Sequence, residues 1–186
     1  LLSPCQTTGT VSHSVLKHAL QRHPASAAPA GIAVTVHRLP AGDPPFGLRL
    51  RYEIAGDPAL LRWPSPRSNA ARQDGLWRNT CLEAFVAAPA GEGHGYVEYN
   101  FAPSGAWACY RFDGYRAGMR AEPCAAAPRI TVHHGAGSTL VEVAAAWPGA
   151  GPGAPPDSGG APRRARLGLT AVLEAADGSL SYWALR

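Results

Sequence analysis

The feature that most constrains this chain is a succession of short runs in which apolar and polar residues alternate, each bounded by Gly, Pro or Asp. GIAVTVHRL (31–39) and FGLRLRYEI (46–54) alternate on either side of AGDPP and read as a hairpin. TCLEAFVA (80–87), GYVEYNFA (95–102), AWACYRFD (106–113) and RITVHH (129–134) follow. STLVEVAAAW (138–147), ARLGLTAVLEA (165–175) and SLSYWAL (179–185) complete the series. A period of two sends successive side chains to opposite faces, so each run is a strand with one face toward a core. Pro103-Ser104-Gly105 and Asp177-Gly178 are hairpin turns, too short for parallel crossovers, and make their flanking strands antiparallel. About nine short strands with frequent turn signals predict an all-β fold, an antiparallel two-sheet β-sandwich.

The runs form a single domain over 31–186. The Pro/Gly-rich stretch 148–162 is an insertion, because a boundary there would isolate two strands, too few to stand alone. Residues 1–30 are an N-terminal extension, with a short helix predicted from Ser12 to Gln21 before His23-Pro24 stops it. The Pro-, Ser-, Asn- and Arg-rich stretch from Asp57 to Gly75 is a long ordered loop of the kind that carries function.

Several function classes fall away. The formal charge of +4 comes from sixteen arginines and Lys17 against thirteen acids. The arginines are scattered instead of lining one segment, and the one tight cluster, Arg163, Arg164 and Arg166, borders the Pro/Gly-rich stretch. That is a solvated surface, with no nucleic-acid partner expected. No apolar run approaches the roughly 20 residues of a membrane-spanning helix, so no membrane partner is expected. Cys5, Cys81, Cys109 and Cys124 are too far apart for a zinc site of the CxxC type. They fit free thiols in a cytoplasmic protein, with Cys81 and Cys109 as small core hydrophobes. The opening Leu1-Leu2-Ser3-Pro4-Cys5 lacks the basic start and apolar stretch of a lipoprotein signal.

GxxxxGK[ST], HExxH and GxSxG motifs are lacking. Gly91-Glu92-Gly93-His94-Gly95 lies between two strands without a helix to hold phosphate, and reads as a hairpin loop. His133 and His134 are adjacent on a strand and face opposite sides, which leaves a metal without a cluster of ligands.

Alternation sorts the remaining polar residues by face. Leu82, Ala84 and Val86 make an apolar face, so Glu83 points the other way with Cys81 and Phe85. Glu98 and Asn100 share a face opposite Val97, Tyr99 and Phe101, and Trp107 shares one with Arg111. The turn at Pro103 closes either as a plain or as a bulged hairpin. A one-residue slip inverts every face, so convergence of these groups stays open.

The block GLWRNTCLEAFVA (75–87), the block GYVEYNFAPSGAWACYRFDGYRAGM (95–119) and the terminal LEAADGSLSYWAL (173–185) resemble the DOMON-like proteins of bacteria. That superfamily of β-sandwiches includes the family 9 carbohydrate-binding modules and haem-binding cytochrome domains. The resemblance covers most of the chain from residue 31 onward. It implies a non-catalytic domain that binds carbohydrate or another small ligand. Trp77 and Glu83 match the tryptophan and acid of the modules, Trp183 is the candidate second ring, and Trp107 is its reserve. Arg78, Glu98, Asn100 and Arg111 complete the candidate ligand-binding set. The resemblance also implies residues beyond the SYWAL run, where this sequence ends; separately, a first residue of Leu1 rather than Met points to a native start upstream.

Sugar sites stack an aromatic ring on a pyranose face and satisfy hydroxyls with charged or amide groups, as this residue set can. Two alternatives carry different chemistry. Glu83 and Glu98 on neighbouring strands could serve a glycan-active enzyme as acid and base. Met119 could be an axial ligand in a haem module, the one cofactor the resemblance raises, though no histidine pairs with it. Each tryptophan also has a packing alternative, since rings of this size dominate sandwich cores.

Overall fold

The computed structural model describes residues 15–40, 47–67, 71–87, 95–147 and 165–185. The turn AGDPP, most of the 91–95 loop, the 148–162 insertion, Arg163, Arg164 and Cys5 lie outside the described residues. Twelve strands are described: β1 Leu16–Ala19, β2 Gln21–Arg22, β3 Ala33–Leu39, β4 Leu48–Ala55, β5 Cys81–Ala87 and β6 Tyr96–Phe101. The rest are β7 Trp107–Phe112, β8 Arg120–Ala121, β9 Arg129–His134, β10 Ser138–Ala145, β11 Arg166–Glu174 and β12 Leu180–Ala184. They form two antiparallel sheets, a five-stranded one in the order β1-β3-β4-β10-β9 and a seven-stranded one in the order β2-β12-β11-β5-β6-β7-β8. The fold is the all-β sandwich that the alternation predicts.

All nine expected strands are present, and the hairpin turns close as their residues require. The N–H of Gly105 donates to the Ala102 carbonyl at 2.9 Å, and Gly105 sits at φ +88°. Gly178, at φ +89°, donates to the Ala175 carbonyl in the same way. These left-handed conformations favour glycine because it lacks a Cβ.

The N-terminal segment corrects the sequence reading. The described part of the expected Ser12–Gln21 helix is extended, as β1 along β3 and β2 along β12. The chain changes sheets at Leu20, which is buried between them and donates to the Val34 carbonyl at 2.9 Å. An isolated ten-residue helix is marginal in water, whereas two open sheet edges offer ready-made backbone partners.

One core fills the space between the sheets. Val34, Val36, Leu50, Tyr52, Val141 and Val143 meet Leu82, Ala84, Tyr99, Phe101, Leu169 and Leu173. Two tyrosines cross it to reach the opposite backbone: the Tyr52 hydroxyl donates to the Glu83 carbonyl at 2.8 Å, and that of Tyr99 to the Ala146 carbonyl at 2.9 Å. Leu82, Ala84 and Val86 face this core, as expected. The outward faces differ. The five-stranded sheet presents polar pairs such as Arg51 with Glu142. Outside the seven-stranded sheet lies a second apolar cluster, built from Leu76, Cys81, Ala102, Ala106, Ala108, Tyr110, Phe112 and Val172.

Candidate functional site

The outward face of the seven-stranded sheet is laid out by register. Thr170 on β11 lies opposite Glu83 on β5, Glu83 opposite Asn100 on β6, and Asn100 opposite Ala108 on β7. The next row outward is Gly168, Phe85, Glu98 and Tyr110. Directly paired residues point to one side of a sheet. Glu83, Glu98 and Asn100 therefore share this face through the pairing of β5 with β6, while the Pro103 turn, which aligns β7, closes as the bulged hairpin with Gly105 in the left-handed position.

The acids are held by neutral groups. Thr170 donates its hydroxyl to the Glu83 carboxylate. Asn100, wholly buried, donates its amide to Glu98 Oε1 at 2.8 Å, and the Cys81 thiol lies 3.5 Å from the Asn100 carbonyl oxygen. Burial pushes the Glu83 carboxyl from 4.5 up to about 7, with the Thr170 hydrogen bond opposing and the Glu98 charge adding to the rise. Burial also raises Glu98, against the Asn100 hydrogen bond and the nearby Arg116 charge.

Aromatic rings border the acids. A 3₁₀ turn, Leu76–Arg78, rests on the cluster through Leu76 and places Trp77 edge-on to Tyr110, with ring centroids 6.0 Å apart. Arg78 lies over the Trp77 ring at 6.0 Å. The Tyr110 hydroxyl donates to Asp74 Oδ1 at 2.6 Å. On the outer rows, Tyr96 stacks on Phe112 at 4.6 Å and approaches Phe85 at 6.0 Å. Toward the opposite edge, a cleft of about 340 Å³ runs from Glu83 and Thr170 past Tyr182 to Gln21 and His23.

Three expected site residues lie elsewhere. Trp183 points into the main core, is 7% exposed, and donates its indole N–H to the Ser181 hydroxyl at 3.0 Å. Its neighbour Tyr182 takes the outward position and is 47% exposed. Trp107 also belongs to the main core. Arg111 shares the Trp107 parity and is engaged by both carboxylate oxygens of Glu122, with Nε–Oε2 at 2.7 Å. β7 is buried on both faces, and β12 sets an aromatic residue on each, so composition alone does not separate inward from outward. Trp77, Arg78, Glu83, Glu98 and Asn100 remain on or beside one face. The structure adds Thr170, Tyr182, Tyr110, Asp74 and Arg116. Of these, Tyr182 carried a signal, being one residue from the expected ring.

Met119 is 55% exposed and lines neither this cleft nor a second one of about 570 Å³ beneath the 62–79 loop. Met119 therefore could not serve as an axial haem ligand in either of these two clefts. Among the described residues, no group of three or more His, Cys, Asp or Glu is placed to hold a metal. No helix among them is long and apolar enough to cross a membrane. No protein-family model, curated protein or solved structure matches the chain.

Proposed function

We propose that this chain is a non-catalytic carbohydrate-binding domain of the DOMON-like type, holding an extended saccharide across the outward face of its seven-stranded sheet. One observation carries the reading: a half-buried carboxylate, Glu83, stands in the middle of a sheet face and is partnered by a hydroxyl instead of a cation. Such a group costs stability at neutral pH, and an arrangement of that kind points to a ligand. Near pH 7 it is split between protonated and ionised forms, so it can donate to or accept from a sugar hydroxyl.

Aromatic surfaces on both flanks fit the same ligand. Trp77, packed edge-on against the buried Tyr110 of β7, and Tyr182 on β12 stand about four strand spacings apart, or about 19 Å at the usual interval. That span is too wide for one pyranose ring to touch both, which favours an oligosaccharide.

The raised carboxyls also suit a glycan-active enzyme, but the geometry favours binding. Glycosidase acids flank the scissile bond from opposite sides. Glu83 and Glu98 rise side by side from one floor, and the Asn100 amide occupies Glu98.

Calorimetric titration with a panel of neutral oligosaccharides, assayed in parallel for released sugar, tests both readings. The expected result is binding without hydrolysis. Trp77→Ala and Tyr182→Ala should each weaken it by up to about tenfold while far-ultraviolet spectra stay unchanged. No binding at millimolar concentrations sinks the carbohydrate reading, and turnover abolished by Glu83→Gln replaces it with the enzymatic one.

A further inference from the structure

The inner face of β7 carries a pair of thiols that the ligand reading does not use. Cys109 is wholly buried and pairs directly across from Tyr99 on β6. Cys124 lies in the irregular chain after β8 and is partly exposed. Several contacts bring them together. The Glu122 N–H donates to the Cys109 carbonyl at 2.9 Å, tying the chain two residues before Cys124 to β7. The Cys124 sulfur lies 3.9 Å from both the Tyr99 hydroxyl and the Glu122 carbonyl, and the Cys109 and Cys124 thiols perturb one another's titration. Arg72 closes the cluster by donating to the carbonyls of Cys109 and Glu122.

We propose that Cys109 and Cys124 are a peroxide-oxidisable dithiol, with Cys124 as the attacking sulfur and Cys109 as the resolving one. The Cys124 thiolate attacks one oxygen of hydrogen peroxide, the O–O bond breaks, and a sulfenic acid forms. The departing hydroxide takes up the thiol's proton as water. The Cys109 sulfur then attacks the sulfenic sulfur, the S–O bond breaks, and the S–S bond closes with release of a second water. Two thiols lose two electrons and two protons, and one peroxide becomes two waters.

The division of roles follows from the surroundings. The thiolate is the nucleophile, and reactive cysteines occupy partly exposed, electropositive sites. The neighbouring Cys109 thiol, the Tyr99 hydroxyl and the Arg72 charge lower the Cys124 thiol, against its desolvation and the Glu122 charge. The Cys124 thiol and burial hold the Cys109 thiol up, as suits a sulfur that acts second. Cys81 does not compete, because it is wholly buried and burial raises its thiol well above the ordinary value. The disulfide would close a ring over residues 109–124, which includes Arg116, the cation beside Glu98.

The test is a peptide map of the full chain. The folded, reduced protein is treated with stoichiometric hydrogen peroxide, blocked with iodoacetamide and digested with trypsin without reductant. Peptides 79–111 and 121–129 should be recovered joined, lighter by two hydrogens than their sum. Fragment-ion sequencing should place the bond on Cys109 and leave Cys81 alkylated after denaturation. Peroxide should raise the melting temperature of the wild type and leave that of Cys124→Ser unchanged. Recovery of both thiols unoxidised, linkage of Cys124 to Cys5, or Cys124 carried to sulfonic acid without a partner would each overturn the proposal.

Discussion

Replacing Glu83 by Gln removes one titration from the sheet face while keeping the side chain's shape and its ability to accept from Thr170. The Glu83 carboxyl is raised from 4.5 to about 7, first by burial and then by Glu98, with the Thr170 hydrogen bond opposing. Each tenfold change in proton affinity is about 1.4 kcal/mol, so this passage amounts to about 3 kcal/mol. The sign follows from proton counts. Between pH 4.5 and about 7 the folded chain keeps a proton that the unfolded chain has released, so stability falls as pH rises. The loss is absent below pH 4.5 and complete above pH 7. Urea denaturation of wild type and Glu83→Gln at pH 5, 6, 7 and 8 measures it. The variant should exceed the wild type by about 1 kcal/mol or less at pH 5 and by up to about 3 kcal/mol at pH 8. A smaller fall should remain in the variant, because Glu98 is raised in the same direction. Parallel curves for the two proteins, or a variant weaker at pH 8, would refute the reasoning that burial makes Glu83 costly when ionised.

Three further outcomes follow from the packing, each read from urea midpoints. Val86→Asp should cost several kcal/mol, about enough to unfold a marginal domain, because Val86 sits between the sheets at 8% exposure. Ala87→Asp, one residue along and partly exposed, should be much milder. Trp183→Ala should cost about 3–5 kcal/mol as a core truncation, whereas Tyr182→Ala should cost about 1 or less. Gly47→Ala would set a Cβ against the Trp147 ring and should cost about 1–3 kcal/mol by overpacking.

The sequence exposed the strands more readily than their partners. Alternation in 80–87 was enough to orient Glu83, because Leu82, Ala84 and Val86 contrast with it. The run SLSYWAL offers no such contrast, since an inward Trp183 and an outward Tyr182 are both aromatic. Its parity is settled by pairing with β11, where Trp183 meets Ala171 and Tyr182 meets Val172. Trp107 and Arg111 were ambiguous for a related reason: β7 buries apolar residues on both faces, and its register hung on the Pro103 turn. The first strands were illegible because what makes them extended is two sheet edges formed by residues far along the chain. Thr170 reaches Glu83 through the long-range pairing of β11 with β5, and Arg116 comes near Glu98 from the turn after β7; no local pattern marks either.

The contrast between the two outward faces carries the functional reading beyond any single residue. On the five-stranded sheet, outward positions include charge paired with charge, as in the part-exposed Arg51 with Glu142. Exposed pairs of that kind contribute little and need no further partner. On the seven-stranded sheet, the 3₁₀ turn at Leu76–Arg78 covers the apolar cluster at one end of the face. The rows of Glu83 and Glu98 lie beside that cover, with their carboxyls half desolvated and hydrogen-bonded to a hydroxyl and an amide. A face built only to be covered would carry apolar residues there, and one built only for water would balance Glu83 with a cation, as Arg116 does in part for Glu98. Polar groups prepared for hydrogen bonding, set between aromatic flanks, are complementary to a neutral ligand rich in hydroxyls and apolar ring faces.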